Sequence, residues 1–144
     1  MKFLILNRRT LIAFLLVSII YFLVRLPNLT YQPIFADEAI YIRWAQIMKS
    51  EPTLRFLPLS DGKTPLFMWA MIPLFKIFDD PLFAGRFLSV LSGLVSLFGV
   101  FVLGWKIFGI RAALWASFFY AVVPYTVFFD RMALVDSLLA SFTI

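Results

Sequence analysis

The chain has 144 residues, 62% of them hydrophobic and 19% aromatic, and a formal net charge of +5. A soluble domain is about 45–50% apolar, so this excess indicates a membrane protein, and the length bounds it to one compact unit. With no cysteine and no histidine, disulfides, thiolate metal sites and imidazole acid–base chemistry are excluded, and no Lys/Arg run is dense enough for a nucleic-acid partner.

Lys2, Arg8 and Arg9 precede an apolar run that predicts a first span over about 10–26, close to the lower length limit for crossing a bilayer. Arg25 is expected to snorkel at its far end, and Pro27 to stop it. A cleaved signal peptide is the alternative for this run; its length, and the absence of a small-x-small site close behind it, argue against that.

Residues 27–86 read as a long loop with two amphipathic helices that lie in the interface. The first opens near Asp37, with Ile40, Tyr41, Trp44, Ile47 and Met48 on one face and Arg43, Gln46, Lys49 and Ser50 on the other; Pro52 ends it. Asp37 falls in the apolar sector and is expected to point toward the membrane domain. Ser60, Asp61 and Gly62 form a turn. Thr64 and Pro65 then read as an N-cap and first residue of a second helix, too short to span and interrupted by Pro73. Asp79 and Asp80 before Pro81 signal another helix start.

Further spans are expected over 87–105 and 112–129, and an incomplete one over 133–144. The first of these carries a small-residue face of Ser89, Gly93 and Ser96, with Ser92 and Gly99 close by, which lets helices approach closely. Pro124 predicts a kink in the next. Asp130 and Arg131 make a polar corner. The fold class is thus an all-α membrane protein with three to four transmembrane helices and two interfacial helices in the first loop.

Charge sets the expected topology. Arg8, Arg9, Lys106 and Arg111 flank one side without an acid among them, so the N-terminus and the 106–111 turn are assigned to the cytoplasm. The 27–86 loop and the Asp130–Arg131 corner are then outside. This arrangement brings Asp37, Lys63 and Asp136 to one membrane face.

The acids and cations of that face each admit two readings. Asp37 and Glu38 are either a helix cap with a first-turn acid, or a general base and an oxygen ligand for a divalent cation. Lys63 either snorkels or pairs with a phosphate at the interface; Arg86 and Arg131 carry the same ambiguity. Asp136 either complements a helix dipole or faces a polar cavity, with Arg131 as its partner. The abundant phenylalanines read as lipid-facing packing.

In order, the chain carries F-x-D-E-x-x-Y at Phe35–Tyr41, a K-[PT]-P-L motif at Lys63–Leu66, an A-x-R-F/L-x-S opening around Arg86, and R-x-x-x-x-D from Arg131 to Asp136. This combination resembles the N-terminal part of GT-C membrane glycosyltransferases, in the protein O-mannosyltransferase and aminoarabinose transferase group. The resemblance runs from about residue 10 to 144. It implies transfer of a sugar from a polyprenyl-phosphate carrier to an acceptor, with inversion, at the outer or lumenal face. It implies that Asp37 is the catalytic acid of the first loop, with Glu38 as the second acid of that motif. Lys63 is then the lysine that contacts lipid phosphate, and Asp136 the acid after the third span, with Arg131 before it. Thr64 replaces the first of two prolines often found there. The family fold has roughly a dozen spans, so the chain is expected to be an N-terminal module whose donor cavity needs further spans or a partner subunit. The host membrane is then a cytoplasmic membrane, or the endoplasmic reticulum in a eukaryote. The alternative is a non-enzymatic membrane assembly or transport subunit whose acids only cap helices.

Overall fold

The computed structural model describes residues 7–144, and every regular element among them is helical. Lys2, counted above with the basic residues, lies outside the described residues. The α-helices are α1 (Arg8–Arg25), α2 (Ala36–Ser50), α3 (Leu66–Met71), α4 (Pro81–Phe108), α5 (Ile110–Val122), α6 (Pro124–Asp130) and α7 (Val135–Thr143). Short 3-10 turns at Pro52–Leu54, Leu57–Asp61 and Ile72–Lys76 fill the first loop.

The central element is α4. Asp80 caps it, accepting a hydrogen bond from the Leu82 N–H at 2.9 Å, and Pro81 takes the first position, where its missing N–H costs nothing. The helix packs against α5, α7, α6, α2, α3 and α1. Ser89, Ser92, Gly93 and Ser96 are buried on it, and a Cβ added at Gly93 would collide with Asp130 and the Tyr21 hydroxyl. The small-residue face therefore admits polar side chains of other helices to the α4 backbone. Gly109, at φ 88 and ψ 173, makes the sharp reversal into α5 that a side chain would oppose.

Helix order follows from the contacts. The Phe14 ring meets Phe98 and Phe101, whereas Tyr21 reaches the Val90 carbonyl, so α1 and α4 run antiparallel. Ala13 and Val17 line a groove with Arg111, Leu114 and Phe118, whereas Arg25 reaches the Tyr120 and Ala121 carbonyls, so α1 and α5 run parallel. Arg8, Arg9, Lys106 and Arg111 thus gather at one end of the bundle, and Arg25, Arg86 and Asp130 at the other.

Among the described residues one helix, α4, is long and apolar enough to cross a membrane. The pair α5 and α6 qualifies when taken together and is bent by 62° at Pro124, where the ring removes a ladder hydrogen bond. α1 has 18 residues but includes Arg8, Arg9 and Arg25, and α7 has nine.

Two apolar cores result. One lies in the bundle and contains Phe14, Val17, Tyr21, Val90, Leu97, Phe101, Ala113 and Ala121. The other joins the first loop to the N-terminal half of α4 and contains Tyr41, Ile42, Ala45, Met48, Phe67, Met68, Met71 and Met132. The buried face of α2 is Glu38, Tyr41, Ile42, Ala45 and Met48. It is rotated from the expected face: Ile40 is exposed, and Asp37 is exposed rather than turned inward. Two further corrections concern the loop. Thr64 does not cap α3, which begins after Pro65 without a side-chain cap. The expected second helix also tightens to a 3-10 turn at Ile72–Lys76, around Pro73.

Candidate functional site

The end of the molecule that carries Arg25, Arg86 and Asp130 is organised by the first turn of α2. Phe35 precedes the helix and has no side-chain acceptor, so only half of a capping box is possible. Glu38 supplies that half by accepting the Phe35 N–H at 3.0 Å with Oε2. The same carboxylate receives the Arg86 guanidinium at two points: Nε donates to Oε1 at 2.9 Å and Nη2 to Oε2 at 2.8 Å. The Ala133 N–H donates to Oε1 at 2.6 Å. Arg86 spends its remaining donors on the carbonyls of Leu29, Gln32 and Pro33. Both side chains are fully buried.

This arrangement ties three parts of the chain together. Glu38 joins α2 to α4 through Arg86 and to the turn before α7 through Ala133. Such a bidentate, fully hydrogen-bonded pair offsets the desolvation that burial costs. Burial pushes the Glu38 carboxyl up, but the hydrogen bonds from Arg86, Ala133 and Phe35 and the charge of Arg86 outweigh it, so its pKa lies below the ordinary value.

Asp37 stands next to this clamp with the opposite surroundings. It is exposed in the first turn of α2 and makes no ion pair among the described residues. Asp136 is exposed in the first turn of α7. It is not paired with Arg131, the partner expected for it. Because Glu38 binds Ala133, the two exposed acids each lie within three residues of one contact. Lys63 is exposed, and its N–H donates to the Pro58 carbonyl after the left-handed Gly62. No hydrogen bond or ion pair links Asp37, Lys63 and Asp136 among the described residues.

The expected cations divide. Arg86 meets Glu38 and backbone carbonyls. Arg131 donates to the carbonyls of Val24, Arg25 and Asn28 at 3.0–3.1 Å, which satisfies the otherwise orphaned C-terminus of α1. Lys63 is the cation of the set left outside.

A second buried pair was not expected. Arg25 does not snorkel: it is fully buried and donates from Nε to Asp130 Oδ2 at 2.9 Å. Its other nitrogens bond the Ala121 and Tyr120 carbonyls, and its guanidinium lies 3.9 Å from the Tyr21 ring centroid. Ser137 donates to Asp130 Oδ1 at 2.8 Å, and Tyr21 and Tyr120 approach Oδ2 at 3.4 Å. The signal for Arg25 was its place in the stripe Phe14, Val17, Tyr21, Arg25 on the inner face of α1. Asp130 could have been found as its counter-charge.

Among the described residues no three side chains of acid type gather as a metal site. Two grooves do not have Asp37 in their lining. One of about 500 Å³ is lined by Asn28, Tyr31, Pro124, Phe128 and Arg131. Another, of about 480 Å³, lies at the far end of α2.

The family model described as dolichyl-phosphate-mannose-protein mannosyltransferase matches residues 62–144, more than half of the chain. That segment includes Lys63, Arg86, Arg131 and Asp136, while Asp37 and Glu38 precede it. No curated protein and no solved structure matches.

Proposed function

This chain belongs to the dolichyl-phosphate-mannose-protein mannosyltransferase family, a membrane glycosyltransferase family of GT-C type, and we propose that it moves a sugar from a polyprenyl-phosphate carrier to an acceptor hydroxyl at the outer or lumenal face. In this reading α1, α4 and α5–α6 cross the membrane and α7 begins a further crossing. The N-terminus is cytoplasmic, by the gathering of Arg8, Arg9, Lys106 and Arg111 at one end.

The observation that carries the reading is the divergence of two neighbouring acids. Glu38 is enclosed and saturated, so it positions the first turn of α2. Asp37 is presented from that held turn and keeps its carboxylate for a substrate. Asp37 takes the proton of the acceptor hydroxyl while that oxygen forms its bond to the anomeric carbon from the face opposite the carrier. The bond from the anomeric carbon to the phosphate oxygen breaks, its electron pair goes to the lipid phosphate, and the sugar is inverted. Lys63 holds the phosphate as its charge develops. Arg86 and Arg131 act through the backbone they clamp, and Asp136 faces the acceptor side. A divalent cation on Asp37 and Asp136 would need ligands from substrate or water.

The test is carrier binding and transfer on the full-length protein. Lys63→Ala is expected to weaken polyprenyl-phosphate binding in a titration, while Asp37→Asn leaves binding in place and abolishes transfer. Unchanged carrier affinity in Lys63→Ala would remove the lysine from the account. If the acids only cap helices, Asp37→Asn changes neither readout.

A further inference from the structure

The groove at the C-terminal end of α2 is not used by the reaction proposed above. It has a volume of about 480 Å³ and is lined by Met48, Lys49, Pro52, Arg55, Phe56, Trp69 and Ile72. Its shape is fixed by specific contacts. The Trp69 indole N–H donates to the Arg55 carbonyl at 2.8 Å, which locks the 3-10 segment onto α3. Phe56 packs edge-to-face on Trp69, with centroids 5.4 Å apart. Lys49 is steadied by one hydrogen bond to the Phe75 carbonyl at 3.3 Å, which leaves two of its ammonium protons for a ligand.

The lining is two-sided. Met48, Phe56, Trp69 and Ile72 form an apolar wall, and Lys49 and Arg55 supply two cations without a carboxylate in the lining. Around it the loop exposes Leu54, Leu59 and Leu66 as well as Phe56 and Trp69. Aromatic and aliphatic side chains grouped with basic residues in this way suit the headgroup level of a bilayer.

We infer that this groove binds an anionic phospholipid of the surrounding membrane, with the phosphate on Lys49 and Arg55 and the glycerol and upper acyl chain on Phe56, Trp69 and Ile72. The guanidinium gives the two-point contact that a phosphate diester accepts, and the ammonium adds a second charge. The bound lipid moors the far end of α2 to the interface, while Glu38 fixes the near end to the bundle. The occupant is not the reacting carrier. Asp37 and Lys49 are twelve positions apart on one helix, which places them roughly 18 Å apart along its axis at 1.5 Å per residue.

Native mass spectrometry of the full-length protein in detergent tests this. Phosphatidylglycerol is titrated against phosphatidylcholine, and polyprenyl phosphate is titrated separately. Phosphatidylglycerol is expected to bind on the order of tenfold more tightly than phosphatidylcholine. Lys49→Gln with Arg55→Gln is expected to bring the two lipids to parity while carrier binding and melting temperature stay unchanged. Should that variant not fold, raising salt on the unaltered protein serves instead and is expected to shrink the preference. Equal binding of the two lipids, or a preference that survives both the substitutions and salt, overturns the inference. Loss of carrier binding with lipid selectivity intact would instead count against the transferase reading alone.

Discussion

The two cores of this protein solve the same problem differently. The bundle core encloses Arg25 and Asp130 among Tyr21, Tyr120 and Ser137. The second core is built from Met48, Met68, Met71 and Met132 around Tyr41 and Phe67, and its ion pair, Glu38 with Arg86, sits at the edge. There one acid is enclosed and the next residue, Asp37, is left in the open. The bundle pair holds helices together and exposes no chemistry. The second pair holds a helix terminus and leaves the neighbouring Asp37 exposed. Methionine suits that second place, because its unbranched chain fills an irregular junction between loop and bundle.

Breaking either pair should have the largest effect. Removing one partner leaves an uncompensated buried charge, at about 3–5 kcal/mol. Arg25→Ala and Arg86→Ala are therefore each expected to lower the melting temperature sharply in detergent. They should differ in what loosens first: protease access to the 27–86 loop should rise early for Arg86→Ala and only with global unfolding for Arg25→Ala.

Gly93→Ala comes next. Its new methyl would overlap Asp130 and Tyr21, and overpacking of this kind costs about 1–3 kcal/mol. Gly109→Ala is expected to cost a comparable amount, about 1–3 kcal/mol, by backbone strain alone: nothing crowds that position, but φ 88 with ψ 173 is a conformation open essentially to glycine only.

The pH response separates the cores further. Glu38 has a folded pKa below its ordinary value, so around pH 4 the native state binds fewer protons at this site than the unfolded chain, and stability rises with pH there. Its contribution is complete above about pH 4.5 and disappears as pH falls through the lower folded value. The melting temperature should therefore fall more between pH 6 and pH 3 for the native sequence than for Glu38→Gln. The smallest expected change is Asp80→Ala, loss of an exposed cap at about 1 kcal/mol.

How much of this could be read beforehand depends on what the polar residues face. Helix punctuation was legible: Pro52 after α2, Asp80 with Pro81 before α4, and Pro124 at the bend each act through local backbone chemistry. The family resemblance, drawn from motif order, agrees with the family match over residues 62–144. The burial of α2 was legible only in part: Tyr41 and Met48 lie on the expected face and are buried, whereas Ile40 is exposed and Trp44 and Ile47 are half-buried. In a membrane chain an apolar side chain suits lipid as well as core. Only the polar member, Glu38, distinguishes the inner face, and its counter-charge is 48 residues away. Arg25 was misread for a related reason: a long side chain at a helix end snorkels unless an acid is brought beside it, and Asp130 arrives from 105 residues downstream.

In the proposed reaction Asp37 works on substrate while Glu38 holds the frame. Asp37→Asn and Glu38→Gln in the full-length protein, each measured for sugar transfer and for melting temperature, test it most directly. Asp37→Asn is expected to lose on the order of a hundredfold or more in transfer with unchanged melting, and Glu38→Gln to melt several degrees lower. Transfer retained by Asp37→Asn, or a melting loss in it equal to that of Glu38→Gln, would contradict it.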